Sequence, residues 1–252
     1  MSSYGYRPNQ IFLNAATNVS IISFIKSHTK ARHLYTTQIN KRYKHQSIES
    51  ILQNLTFTDS LPYIKSGRLP KISYQIEADI LRKMYSLDST IASVVSEAKS
   101  AKAIYYRSSG GLYYKLITSF ATHSSKEVSL FIKPKYSKAV GAFMSSTLFY
   151  WWWLINSNWL DNRGYEILDF PLPLANLSDE TLHKLESIYA EYEADLKANA
   201  KPYRSLGELA YYARKSKHII DKIDRLICPL YGLSDDETEF IISYDLQFRT
   251  DD

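Results

Sequence analysis

The chain has 252 residues, 45% hydrophobic and 23% charged, with 8 Gly, 8 Pro and 1 Cys, which excludes collagen-like, low-complexity and disulfide-scaffold classes. Its length suffices to bury the core of one large or two modest domains. The single Cys228 forms no internal disulfide, and Met1 to Asn9 lack the basic start and apolar run of a secretory signal, so a cytoplasmic location is expected. The net charge of +5 is unevenly spread: residues 1–150 hold 20 Lys/Arg against 7 Asp/Glu, a net of +13, whereas residues 151–252 hold 11 against 19, a net of −8. A cationic, Tyr-rich first part points to an extended polyanion such as nucleic acid or to an anionic membrane surface, and the acidic part to a support or partner face.

In chain order, Phe12 and Val19 to Ile25 read as short, mostly buried strand material, followed by a polar basic stretch from Lys26 to Lys44. Leu69-Pro70-Lys71-Ile72 introduces Ile76, Ile80, Leu81, Met84 and Leu87 at the spacing of a short amphipathic helix. Ile104 to Arg107 and Leu112 to Thr118 are β-prone runs around Ser108-Ser109-Gly110-Gly111, which predicts a hairpin or a strand-bounded loop. Val128 to Ile132 is a further strand. Ala139 to Leu160 is an uncharged run of span length, but Ser145, Ser146, Thr147, Asn156, Ser157 and Asn158 interrupt it, so it reads as a buried core helix and no membrane partner is expected.

Phe170-Pro171-Leu172-Pro173 marks the change from a mixed α/β region to a helical one. Ser178 caps a predicted helix with Leu182, Leu185, Ile188, Tyr192 and Leu196 on one stripe. Another runs near Lys215 to Leu230 and ends at Gly232, and Ser234 with Glu237 forms a capping box that opens a last short one. The fold class expected from these elements is α+β.

Catalytic motifs are sparse. The six His show neither an i,i+4 pair nor a Cys partner at metal-ligand spacing, and no phosphate loop or nucleophile elbow occurs. Asp88 with Glu97-Ala98-Lys99 matches a carboxylate, carboxylate-x-Lys metal-nuclease pattern, but Asp195-Leu196-Lys197 shows how readily acid-x-Lys arises in a charged chain. On the glycine-hinged segment, Arg107 offers a bidentate fork to guanine and Ser108 and Ser109 donate or accept, while Gly110 and Gly111 let the backbone approach phosphates. The alternative for the same residues is a structural hairpin with one exposed Arg and Tyr in alternating core positions. Lys41, Arg42, Lys44, Lys133, Lys135 and Lys138 read as phosphate clamps. Trp151, Trp152, Trp153 and Trp159 read as core.

The segment Ile104 to Lys115, IYYRSSGGLYYK, resembles the DNA-reading segment of adenine-specific DNA methyltransferases of bacterial restriction-modification systems, including the fused restriction-and-modification enzymes. In the same order, Leu69 to Ile72 with its helix resembles the entry to their target-recognition domain. Ser145 to Trp153 and Asp169 to Pro173 resemble the helix and strand that close it, and Ile220 to Leu233, with Ser234, Glu237, Phe240 and Ile241, resembles their helical tail. The similarity covers roughly residues 60–250. It implies a remnant of the catalytic domain over 1–60, a target-recognition domain over 61–173 and a helical region over 174–252. It further implies DNA base contacts by Arg107, Ser108, Ser109, Tyr106 and Tyr114, with Gly110, Gly111 and Lys115 joining the clamps on the backbone.

Where the family carries a glycine-rich loop for S-adenosylmethionine and an Asn/Asp-Pro-Pro-Tyr/Phe motif for the flipped adenine, this sequence has neither. The resemblance thus implies a DNA-recognition half, with no catalytic, cofactor-binding or metal-binding residue of its own. Its partners would be double-stranded DNA and a methyltransferase domain that supplies S-adenosylmethionine. A small metal-dependent nuclease, or a protein-interaction module acting through the acidic helices, are the alternatives.

Overall fold

A computed structural model describes residues 1–249 apart from positions 13, 15, 27, 31, 111, 112 and 204–207. The fold is α+β, with helices and small sheets. It divides into two units: Met1–Tyr85 with Leu154–Trp159, and Ser86–Trp153 with Leu160–Asp252. Neither sequence-derived boundary, 60/61 or 173/174, coincides with this division.

The first unit carries β1 (Ser2–Tyr4), β2 (Val19–Ile21), β3 (Tyr35–Thr36), β4 (Ile39–Asn40), α1 (Ile48–Gln53), β5 (Thr58–Asp59) and α2 (Gln75–Tyr85). The β1 strand lies between β2, antiparallel, and β4, parallel, while β3 and β5 form a separate antiparallel pair. The run from Val19 was expected to be buried. Instead β2 is an edge strand, and Ile21, Ile22, Phe24 and Ile25 are exposed, as is Phe12. Tyr4 on the central β1 is buried in their place. The α2 helix forms where its apolar spacing places it, with Ile80, Leu81 and Met84 buried. The buried Glu77 carboxylate reaches back from its first turn and accepts from the backbone N–H groups of Ser73 (2.8 Å) and Tyr74 (3.1 Å) just before the helix.

The second unit carries β6 (Lys102–Arg107), β7 (Ile117–Thr118), β8 (Glu127–Ile132), α3 (Ser137–Ser145), α4 (Thr147–Asn156, whose last residues from Leu154 belong to the first unit) and α5 (Gly164–Leu168). After these come α6 (Asp179–Ala198), β9 (Lys201–Tyr203), β10 (Glu208–Ala210), α7 (Lys217–Ile227), α8 (Asp235–Ser243) and α9 (Leu246–Arg249). The sheet order is β7-β6-β8, with all six β6 residues paired antiparallel to β8, from Lys102 opposite Ile132 to Arg107 opposite Glu127.

The apolar run expected as one core helix is two, α3 and α4, both buried. The break falls at Ser146, whose hydroxyl oxygen accepts from the Phe149 N–H (3.0 Å). The buried Asp224 of α7 accepts from the N–H groups of Thr147 and Leu148, both at 3.1 Å, so a new helix N-terminus is fully capped there. Burial pushes the Asp224 carboxyl up to about 6. Trp151, Trp152 and Trp153 are core residues. Among the described residues, no helix is long and apolar enough to cross a membrane.

The C-terminal helices form as their caps dictate: the Ser178 hydroxyl accepts from the Thr181 N–H (3.1 Å), and Ser234 and Glu237 cap α8 reciprocally. On α6 the buried stripe runs through Tyr189 rather than Ile188. The reason lies at Gly141 of α3, where the helices approach so closely that an added Cβ would stand 2.7 Å from Tyr189 Cε1 and 2.8 Å from its Oη. The acidic helices therefore complete the core of the same unit that holds β6.

Candidate nucleic-acid interface

Beyond Arg107 the chain leaves the sheet but stays tied to it. Ser108 donates its backbone N–H to the Lys126 carbonyl (2.8 Å), and its hydroxyl donates to the same oxygen (3.1 Å). From the other side, Asn162 donates its backbone N–H to the Ser108 carbonyl (2.7 Å) and its side-chain amide to the Arg107 carbonyl (3.2 Å). Ser109 forms an antiparallel bridge with Asp161. Gly110 follows with φ of 78°, a left-handed conformation that favours glycine, and the Arg107 guanidinium lies beside it. Of the two expected forms, a hairpin or a strand-bounded loop, the segment takes the second, because among the described residues only Ile117 and Thr118 pair back onto β6, opposite Tyr106 and Tyr105. Gly111 lies outside the described residues.

Four exposed cations surround this loop within the second unit: Arg107 at its start, Lys126 at the carbonyl that holds Ser108, Arg163 next to Asn162, and Arg214. An open cleft of about 630 Å³ is lined by Ser108, Ser109, Lys126 and Arg163, and a smaller one of about 250 Å³ by Arg107, Gly110, Lys115 and Arg214. Comparisons with protein-family models, curated proteins and solved structures find no match.

Several expected contacts are corrected by their surroundings. Tyr106 is 5% exposed and packs into the unit, which removes it as a free stacking surface. Tyr114 is half-buried, and the Arg249 guanidinium covers its ring at 4.2 Å from the centroid. Lys115 is 6% exposed and its Nζ sits 3.2 Å from the centroid of the Trp153 ring, so it is no surface clamp. Burial lowers the Lys115 ammonium to about 7, against the opposing pull of Glu166 and Asp161. Lys138 is held by Glu193 (3.1 Å) and the Ser119 hydroxyl (2.8 Å).

The remaining clamps are placed as follows. Lys133 is exposed and donates to the Ser93 carbonyl (3.0 Å), and Lys135 pairs with Asp179 (3.0 Å) at the surface, where such pairs are worth little. In the first unit, Lys44 is exposed and Lys41 stands 5.2 Å from the Trp159 ring centroid. Arg42 donates to the carbonyls of Gln46 (2.9 Å) and Gln10 (3.0 Å). Asp88, Glu97 and Lys99 are exposed on connecting segments, and no three His, Cys, Asp or Glu among the described residues group as metal ligands.

Sequence reasoning missed Lys126, Arg163 and Arg214. Lys126 reaches the loop at the entry to β8, Arg163 on the 161–164 segment and Arg214 on the 211–214 segment that lines the smaller cleft, so no local signal marks them. The burial of Lys115 did have a signal: in an alternating strand-like run it shares a face with Ile117, which is fully buried.

Proposed function

We propose that the chain reads a short duplex DNA sequence through the Arg107–Gly110 loop and presents a target adenine to an adenine-specific methyltransferase domain that it does not itself contain. The observation carrying this reading is that Arg107 sits exposed at the start of a loop tied on both sides by backbone hydrogen bonds, with Lys126, Arg163 and Arg214 exposed around it. A guanidinium on a fixed loop matches the N7 and O6 acceptors of guanine, and the ring of cations supplies phosphate contacts that set register. The two roles are separable in energy and in salt dependence. The methyltransferase assignment draws on the sequence resemblance alone, and S-adenosylmethionine would belong to that other domain.

Selection of a preferred sequence from a random duplex pool, followed by binding measurements across salt concentrations, tests the reading. Log affinity is expected to fall with log salt at a slope of about −0.9 per neutralised phosphate, and Lys126→Ala and Arg163→Ala are each expected to reduce that slope by about one contact. A failure to enrich any sequence, with affinity insensitive to both substitutions, would overturn it.

A further inference from the structure

The most exposed large apolar side chains among the described residues are Ile25 (95%), Phe24 (84%) and Ile22 (67%), and all three fall between positions 22 and 25. Exposed apolar residues scattered singly are ordinary, but a contiguous group that prolongs the exposed Ile21 end of β2 marks a surface that meets something other than water. Ile22 to Lys26 belong to no strand or helix, and every residue from Ile21 to Lys26 is exposed. Phe24 and Ile25 are neighbours, and adjacent side chains point in different directions on any regular backbone, so this apolar surface faces outward on more than one side. A partner with one docking face would leave part of it wet, whereas a bilayer surrounds whatever enters it.

The charge around the segment decides the sign of that medium. Residues 1–48 contain seven Lys/Arg and no Asp or Glu. Lys26 follows Ile25 directly, with Lys30 and Arg32 after it, all three exposed. Duplex DNA would use these cations but gives the apolar side chains no part in phosphate contact, whereas an anionic lipid surface uses both.

We infer that Ile21 to Ile25 inserts into an anionic lipid surface, with Lys26, Lys30 and Arg32 held at the headgroups. Backbone N–H and C=O groups outside a helix or closed barrel are not accommodated in the hydrocarbon core, so the segment rests at the boundary between headgroups and acyl chains and spans nothing. A short apolar group alone gives marginal, reversible attachment, and the basic residues supply the second signal, which requires anionic lipid and weakens with salt. The inference is independent of the DNA reading, whose loop lies in the second unit.

The whole chain is mixed with vesicles of equal parts phosphatidylcholine and phosphatidylglycerol, or of phosphatidylcholine alone, and bound protein is separated by flotation. Binding to the anionic vesicles is expected, weaker by about tenfold or more on the neutral ones. Ile22→Ser, Phe24→Ser and Ile25→Ser combined, at exposed positions and with circular dichroism confirming the fold, should weaken anionic binding by about tenfold or more and leave duplex DNA affinity unchanged. Insertion is read separately with Phe24→Trp. The four natural tryptophans are at most 1% exposed, so a blue shift on adding vesicles, with quenching by brominated acyl chains, reports the new side chain.

No flotation with anionic vesicles overturns the inference, as does flotation that the serine substitutions leave unchanged while Phe24→Trp shows no blue shift. It is equally overturned if those substitutions spare vesicle binding but abolish duplex affinity, which would make the segment a wedge between base pairs, or disperse a dimer, which would make it a contact between two copies. Because duplex affinity is measured beside vesicle binding, failure of the lipid inference and failure of the DNA reading are distinguishable.

Discussion

The Asn162 side-chain amide donates to the carbonyl of Arg107 across 55 residues of sequence, at 3.2 Å. With the Asn162 backbone N–H on the Ser108 carbonyl, it holds the base of the Arg107–Gly110 loop against the segment that carries Arg163. Replacing Asn162 by Ala should cost about 1–3 kcal/mol of stability, because the Arg107 carbonyl loses its side-chain donor at a buried site while the backbone bond to Ser108 stays. Urea unfolding measures the cost. Discrimination between preferred and random duplex should fall more than random-duplex affinity, since a loosened loop still carries its charge.

Lys115 makes stability depend on pH in a direction opposite to that of a paired lysine. An unfolded lysine titrates near 10.5, whereas Lys115 titrates at about 7 in the fold, so between these values the unfolded chain holds the extra proton. Stability therefore rises with pH at this residue, by roughly 1.4 kcal/mol per unit within that window. Lys115→Met is expected to be more stable than the natural chain at pH 7, with the advantage shrinking by about 2–3 kcal/mol at pH 9. Equal differences at both pH values would show that the ammonium is not desolvated.

Asp224 carries the complementary dependence. Its folded value of about 6 lies above the unfolded carboxylate value of 3.8, so the native state holds more protons between them. The stabilisation this confers is complete below the unfolded value and is lost as pH rises through about 6. Chemical denaturation of the natural chain and Asp224→Asn at pH 4 and pH 7 should show the natural chain losing about 2–3 kcal/mol relative to the variant over that interval.

Gly141 is fixed by packing and not by backbone conformation. Alanine would gain about 1 kcal/mol of helix propensity, yet its Cβ would fall within 2.8 Å of Tyr189 Oη. Gly141→Ala is expected to lower the thermal midpoint through a net cost of about 1–3 kcal/mol. Combining it with Tyr189→Leu should cost less than the two substitutions added.

The legible parts of the chain were those set by local chemistry. Ser178, and Ser234 with Glu237, announce their helices because a cap and its target lie three residues apart. The Gly110 loop was legible for the same reason, as a positive φ is a one-residue property. The break between α3 and α4 was hidden because its strongest cap, Asp224, lies 77 residues from Thr147. The cations that ring the loop were hidden in the same way. The exposure of Ile22, Phe24 and Ile25 contradicts an apolar run read by composition alone, because the strand ends at Ile21 and these residues lie beyond it.

The most direct measurement is the affinity of Arg107→Ala for the selected duplex and for random duplex of equal length, with circular dichroism confirming the fold. A base-reading Arg107 loses about 1–3 kcal/mol on the selected sequence and little on random DNA, whereas Lys126→Ala weakens both about equally. Equal losses on both duplexes with Arg107→Ala, or no loss on either, would contradict recognition through this loop.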